Sequence, residues 1–155
     1  RTPHGSAEAR GVFFGLSPRH GRGHLTRAVI EGVALALAQS LSLLRDAGVH
    51  ADEVRLTGGG ARSPFWQQIL ADLFECPVTL PPRDEGPAYG AALLAAVGVG
   101  AFPDIESAGG VVRASARIEP RPEVSATYRR AATLYADLYS ALEPLYQRRM
   151  ALEGE

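Results

Sequence analysis

The chain has 155 residues, with 16 Lys and Arg against 17 Asp and Glu and a formal net charge of −1. That length suits one domain with a real core, and the even charge gives no electrostatic case for nucleic acid or an anionic membrane as partner. Cys76 is the only cysteine. It excludes an intrachain disulfide and reads as a small apolar packing residue between Glu75 and Pro77. No apolar run reaches transmembrane length and no signal-peptide pattern opens the chain, so a soluble, reducing, cytoplasmic setting is expected.

Residues 1–22 carry Pro3, Pro18 and several glycines, a loop composition, with residues 11–16 as a short strand candidate. Residues 25–47 read as a helix. Leu25, Val29, Val33, Leu37, Leu41 and Leu44 recur at helical spacing, and Gly48 stops it. Added apolar residues such as Ile30 and Leu35 widen the stripe, predicting burial on more than one side. Within it, Glu31 reads as a structural hydrogen-bonding acid.

A strand over 54–57 leads into Gly58, Gly59 and Gly60. Ser63-Pro64 then opens a helix over 64–74, since serine caps free N–H groups and proline tolerates the first helical position. Three glycines at a strand-to-helix turn permit positive φ and let a flat ligand approach the backbone. No Gly-Lys-Ser/Thr follows, which excludes a Walker A loop. Nor is there a carboxylate at Cys76-Pro77-Val78 themselves, where a dinucleotide fingerprint would place its ribose acid. Loop chemistry alone leaves a nucleotide contact and a purely structural turn both open.

Residues 77–80 form a second predicted strand, ended by Pro81-Pro82, and 86–97 an alanine-rich helix. Strand, helix, strand, helix suggests parallel strands joined by crossovers. Two strands are few for an independent sheet. Residues 98–120 show little pattern and read as a surface excursion. Residues 123–146 read as a final helix bent at Pro144, with Leu134, Tyr135, Leu138 and Leu142 packing inward. Asp72 reads as a surface or packing-edge acid, and Asp84-Glu85 as a complement to the next helix's positive end. Trp66 reads as a core or interface residue ahead of stacking on an adenine, and Arg62 as facing solvent ahead of a nucleotide. No histidine set has metal-ligand spacing, and no acid has a partner that marks it as a base. No catalytic or metal-binding residue is assigned.

Several segments together resemble one family. Arg1-Thr2-Pro3-His4, residues 9–16 and residues 27–34 look like the carboxyl-terminal domain of FGGY carbohydrate kinases. Residues 56–72 resemble that family's adenosine motif, and residues 86–95 the helix that follows it. The segments run in the family's order over most of the chain. The resemblance implies an α/β fold, part of an actin-like (ribonuclease-H-like) ATPase domain with short strands, packed helices and a C-terminal helix. Residues 1–155 would form one adenosine-side domain, its amino-terminal sugar and catalytic domain lying outside this chain.

The implied activity is ATP-dependent phosphorylation of a sugar. Arg1-Thr2-Pro3-His4 and Arg62-Ser63 resemble the members acting on D-xylulose more than those acting on glycerol. Gly58, Gly59, Gly60 and Ser63 would contact the nucleotide, with Mg²⁺ held mainly outside this chain. The chain alone would be inactive. Expected partners are ATP, a small sugar, the missing amino-terminal domain and, optionally, a second copy of the protein. Two rival readings are a non-catalytic actin-like nucleotide-binding module and a methyltransferase-like domain using the turn for a nucleoside cofactor.

Overall fold

The computed structural model describes residues 4–81 and 86–153. The predicted roles of Asp84-Glu85 and of Arg1-Thr2-Pro3 lie outside the described residues. The elements are α1 (Arg22–Asp46), β1 (Val54–Arg55), α2 (Pro64–Phe74), β2 (Val78–Leu80), α3 (Gly86–Gly98), α4 (Ile105–Gly110), β3 (Ala116–Ile118) and α5 (Pro122–Glu153). They fall into two compact units, Arg1–His50 with Pro122–Glu155, and Ala51–Arg121.

The Ala51–Arg121 unit is built on a three-stranded sheet in the order β1-β2-β3. β1 and β2 are parallel, pairing Val54 with Val78. β3 is antiparallel to β2, pairing Thr79 with Arg117. The stretch after residue 98 therefore holds a helix and a third strand that the sequence pattern does not reveal. Asp104 opens α4 by accepting the Ser107 N–H at 2.7 Å, and that hydrogen bond holds its carboxyl below the usual range. Ile69, Leu70, Ala71 and Phe74 of α2 form the core with Cys76 and Val78. Cys76 packs as expected.

Asp72 corrects the sequence reading. It is fully buried, because its carboxylate meets four donors. The Arg121 backbone N–H lies at 2.8 Å, Arg121 Nη2 at 2.6 Å, Arg121 Nε at 3.2 Å and Gln68 Nε2 at 3.0 Å. A carboxylate can be buried only with such compensation.

The other unit pairs α1 with α5. Glu31 accepts a bond from the Tyr128 hydroxyl at 2.7 Å and one from Arg27 Nε at 2.8 Å, the structural role expected of it. Burial, then the bond to Glu31, pushes the Tyr128 phenol above its ordinary value. Tyr128→Phe leaves Glu31 short of a donor, and we expect a loss of about 1.5 kcal/mol in urea unfolding. The sign follows from the raised phenol. Its contribution is fully present below about pH 10 and is lost as pH rises through the folded value. Wild type and variant should therefore converge at high pH.

Four expectations fail in this unit. Residues 11–16 form no strand, since no neighbouring strand offers a ladder to the run. α1 buries only Ala34 and Leu35, leaving Val29 56 % and Val33 55 % exposed, because α5 covers a narrow strip of its wide apolar stripe. Leu134 is exposed as well, while Tyr135, Leu138 and Leu142 are half-buried. α5 also continues through Pro144 to Glu153.

By length and composition α1 is apolar enough to cross a membrane, contrary to the sequence reading, because Leu and Ala stand at positions where a surface helix carries charges. The Arg27–Glu31–Tyr128 network stands in its first half, and an ionised pair is costly in hydrocarbon.

Candidate functional site

The candidate site is the turn after β1. Leu56 continues the parallel pairing, donating its N–H to Thr79 O at 2.9 Å, and the chain then leaves the sheet at a strand's carboxyl end. In open α/β sheets ligands bind outside those ends. Gly58 has φ +86°, the one positive φ among the three glycines. Only Gly58 uses the freedom the three glycines permit, because Gly59–Arg62 winds into a single 3₁₀ turn closed by Ala61 N–H to Gly58 O at 2.9 Å.

Gly59 and Gly60 are exposed. Among the described residues, a β-carbon at Gly59 would meet no atom within 4 Å, which leaves that face open to another molecule. Trp66 is half-buried, and its ring lies against the turn, 3.4 Å from where a β-carbon of Gly60 would stand. That is the packing role expected of it.

Ser63 caps α2 as the sequence predicts, its Oγ accepting the Trp66 N–H at 3.4 Å. Ser63 is exposed, and a capping oxygen that accepts still carries a proton to donate. Gln67 ties helix to turn by donating its side-chain N–H to Ala61 O. The amino end of α3 comes close as well: a β-carbon at Gly86 would lie 2.9 Å from Thr57, so glycine there permits the approach. The structure thus brings Gly58, Gly59, Gly60 and Ser63 onto one exposed turn backed by α2. Arg62 beside them is exposed.

Sequence reasoning missed the far end of α2. Gln68 and Asp72 stand four residues apart on one helical face, a visible pairing signal, but Arg121 lies 49 residues further on with no local mark. Among the described residues no group of three His, Cys, Asp or Glu could hold a metal ion. With Asp72 paired and Asp104 capping a helix, neither acid has the partners of a base.

The profile of the FGGY family of carbohydrate kinases, C-terminal domain, matches residues 1–99. The chain is 39 % identical to a xylulose kinase of Staphylococcus epidermidis over 155 residues, all of this chain and 30 % of that protein. It is 37 % identical to a glycerol kinase of Dechloromonas aromatica over 142 residues, 91 % of this chain and 28 % of that one. The crystal structure of a ligand-bound xylulose kinase from Lactobacillus acidophilus superposes with a TM-score of 0.87 at 30 % identity, over 96 % of this chain and 30 % of that chain. The chain belongs to the FGGY family of carbohydrate kinases and corresponds to its C-terminal domain. Its fold is the mixed helix-and-strand, ribonuclease-H-like fold of those domains, as the resemblance implied. It spans about 30 % of the length of the xylulose kinases it matches.

Proposed function

We propose that this chain is the adenosine side of an ATP-dependent kinase that converts D-xylulose to D-xylulose 5-phosphate in the cytoplasm. The observation that carries the nucleotide reading is the exposed turn at Gly58–Gly60, open at Gly59 and flanked by the Ser63 hydroxyl. The Gly59 and Gly60 backbone would lie against adenine or ribose, and Ser63 would donate to the nucleotide. ATP bound there supplies the phosphoryl group. In that reaction a sugar oxygen bonds to the γ-phosphorus, the β–γ bridging bond breaks, ADP leaves, and a carboxylate takes the hydroxyl proton. This chain's share is to hold and orient the nucleoside end. The base and the Mg²⁺ are assigned to no residue of it, in keeping with the paired and capping roles of Asp72 and Asp104.

The xylulose assignment is supported by the Staphylococcus epidermidis relative, aligned over the whole chain. A second reading, another pentulose, a polyol or a sugar acid, is favoured by the similar identity to a glycerol kinase. The uncovered apolar row of α1 suits a domain that packs against the rest of a longer kinase. A panel of D-xylulose, D-ribulose, glycerol and gluconate with ATP and the complete kinase separates these readings. We expect kcat/KM to favour D-xylulose by about a hundredfold, as recognition of hydroxyl groups allows. A higher value for another sugar overturns the substrate assignment. The isolated chain should give no product above background, and turnover surviving removal of contaminating kinase would contradict the division of labour proposed here.

A further inference from the structure

We propose that Asp72 and Arg121 are positioning residues for the nucleotide turn, acting through α2; this rests on reading the turn as a nucleotide contact. Asp72 is a poor choice by local rules. It stands in the last turn of α2, where the helix dipole disfavours a negative charge, and it is completely buried. The Arg121 side chain that answers it is half exposed, and an apolar residue of similar volume at position 72 would avoid burying a carboxylate at all. What the carboxylate supplies is a single geometry. The Arg121 side chain grips Oδ2 through Nη2 at 2.6 Å and Nε at 3.2 Å, while its backbone N–H takes Oδ1 at 2.8 Å. Gln68 closes the set, donating to Oδ1 and to the Glu119 carbonyl, both at 3.0 Å.

The clamp therefore fixes the carboxyl end of α2 to the segment after β3. The amino end of the same helix carries Ser63, and Gln67 ties its first turns to Ala61 in the 3₁₀ turn. An 11-residue helix is a rod of about 16 Å. Held at both ends, it transmits a tilt at Asp72 to the glycines and to the Ser63 hydroxyl. Misplacement by a fraction of an ångström weakens contacts that depend on orientation.

The test uses the complete kinase with Arg121→Ala, Arg121→Lys and, as the reference for the turn, Gly59→Val. ATP KM, sugar KM, kcat and thermal midpoint are measured for each. Arg121→Ala should raise ATP KM about tenfold with sugar KM and kcat within twofold. Arg121→Lys should recover only part of this, since an ammonium cannot reproduce the two-pronged grip. Unchanged ATP KM in both Arg121 variants, or equal rises in both KM values with a lowered midpoint, would overturn the clamp. If Arg121→Ala does not fold, Arg121→Lys decides by the same criterion. Should Gly59→Val leave ATP KM unchanged, the reading of the turn fails, and the clamp proposal with it. A raised value for Gly59→Val beside wild-type behaviour at Arg121 sinks the clamp alone.

Discussion

Gly59→Val in the complete kinase should raise ATP KM by an order of magnitude or more while leaving sugar KM within about twofold and the thermal midpoint unchanged. The argument turns on what the protein itself would feel. Among the described residues a β-carbon at Gly59 meets nothing within 4 Å, and its φ is not positive. The folded chain therefore has no objection to the side chain, and an adenosine moiety lying on the turn does. Gly58 supplies the contrast. At φ +86° a valine there is strained by about 1–3 kcal/mol, so Gly58→Val should lower the midpoint as well as ATP affinity. A Gly59→Val enzyme that is stable and loses affinity for both substrates equally would count against an adenosine role for the turn.

Removal of everything after Arg121 should have the largest effect on stability. The deleted segment contains α5, which supplies the buried Tyr128, its bond to Glu31 and the half-buried Tyr135, Leu138 and Leu142. Full burial of one such side chain contributes about 1.5–3 kcal/mol. Even at half that value, four of them with the hydrogen bond are comparable to the 5–15 kcal/mol that holds a typical domain. α1 would then expose its apolar stripe on every side. We expect aggregation or loss of the cooperative transition. An unchanged unfolding midpoint with unchanged solubility would show α5 to be dispensable.

The legible and illegible parts of this chain differ in how local their causes are. α2 could be read because its cap, its first-turn proline and the buried apolar positions Ile69 and Leu70 lie within a dozen residues, although Phe65 on the same pattern is exposed. The turn at Gly58–Gly60 was legible as a turn for the same reason, and its family resemblance named the ligand. Its detailed conformation was not, since glycine accepts both signs of φ and the choice is made by the 3₁₀ hydrogen bonds. β3 is three residues long and two of them are exposed, so it has no periodicity to read; its pairing with β2 alone makes it a strand. α4 ends in two glycines, which local propensity counts against a helix. The run at residues 11–16 shows the reverse, strand-like composition with no partner to pair. Asp72 was misread because its explanation, Arg121, is distant in sequence.

Photoaffinity labelling of the complete kinase with an azido-adenine nucleotide tests the central claim most directly, because it reports where the base lies rather than what the enzyme turns over. Cleavage at arginine isolates the turn in the peptide 56–62 and Ser63 in the peptide 63–83. We predict label in one or both of these, suppressed by excess ATP and not by sugar alone. ATP-protected label confined to peptides outside residues 56–83 would contradict the assignment of this turn as the adenosine side of the kinase.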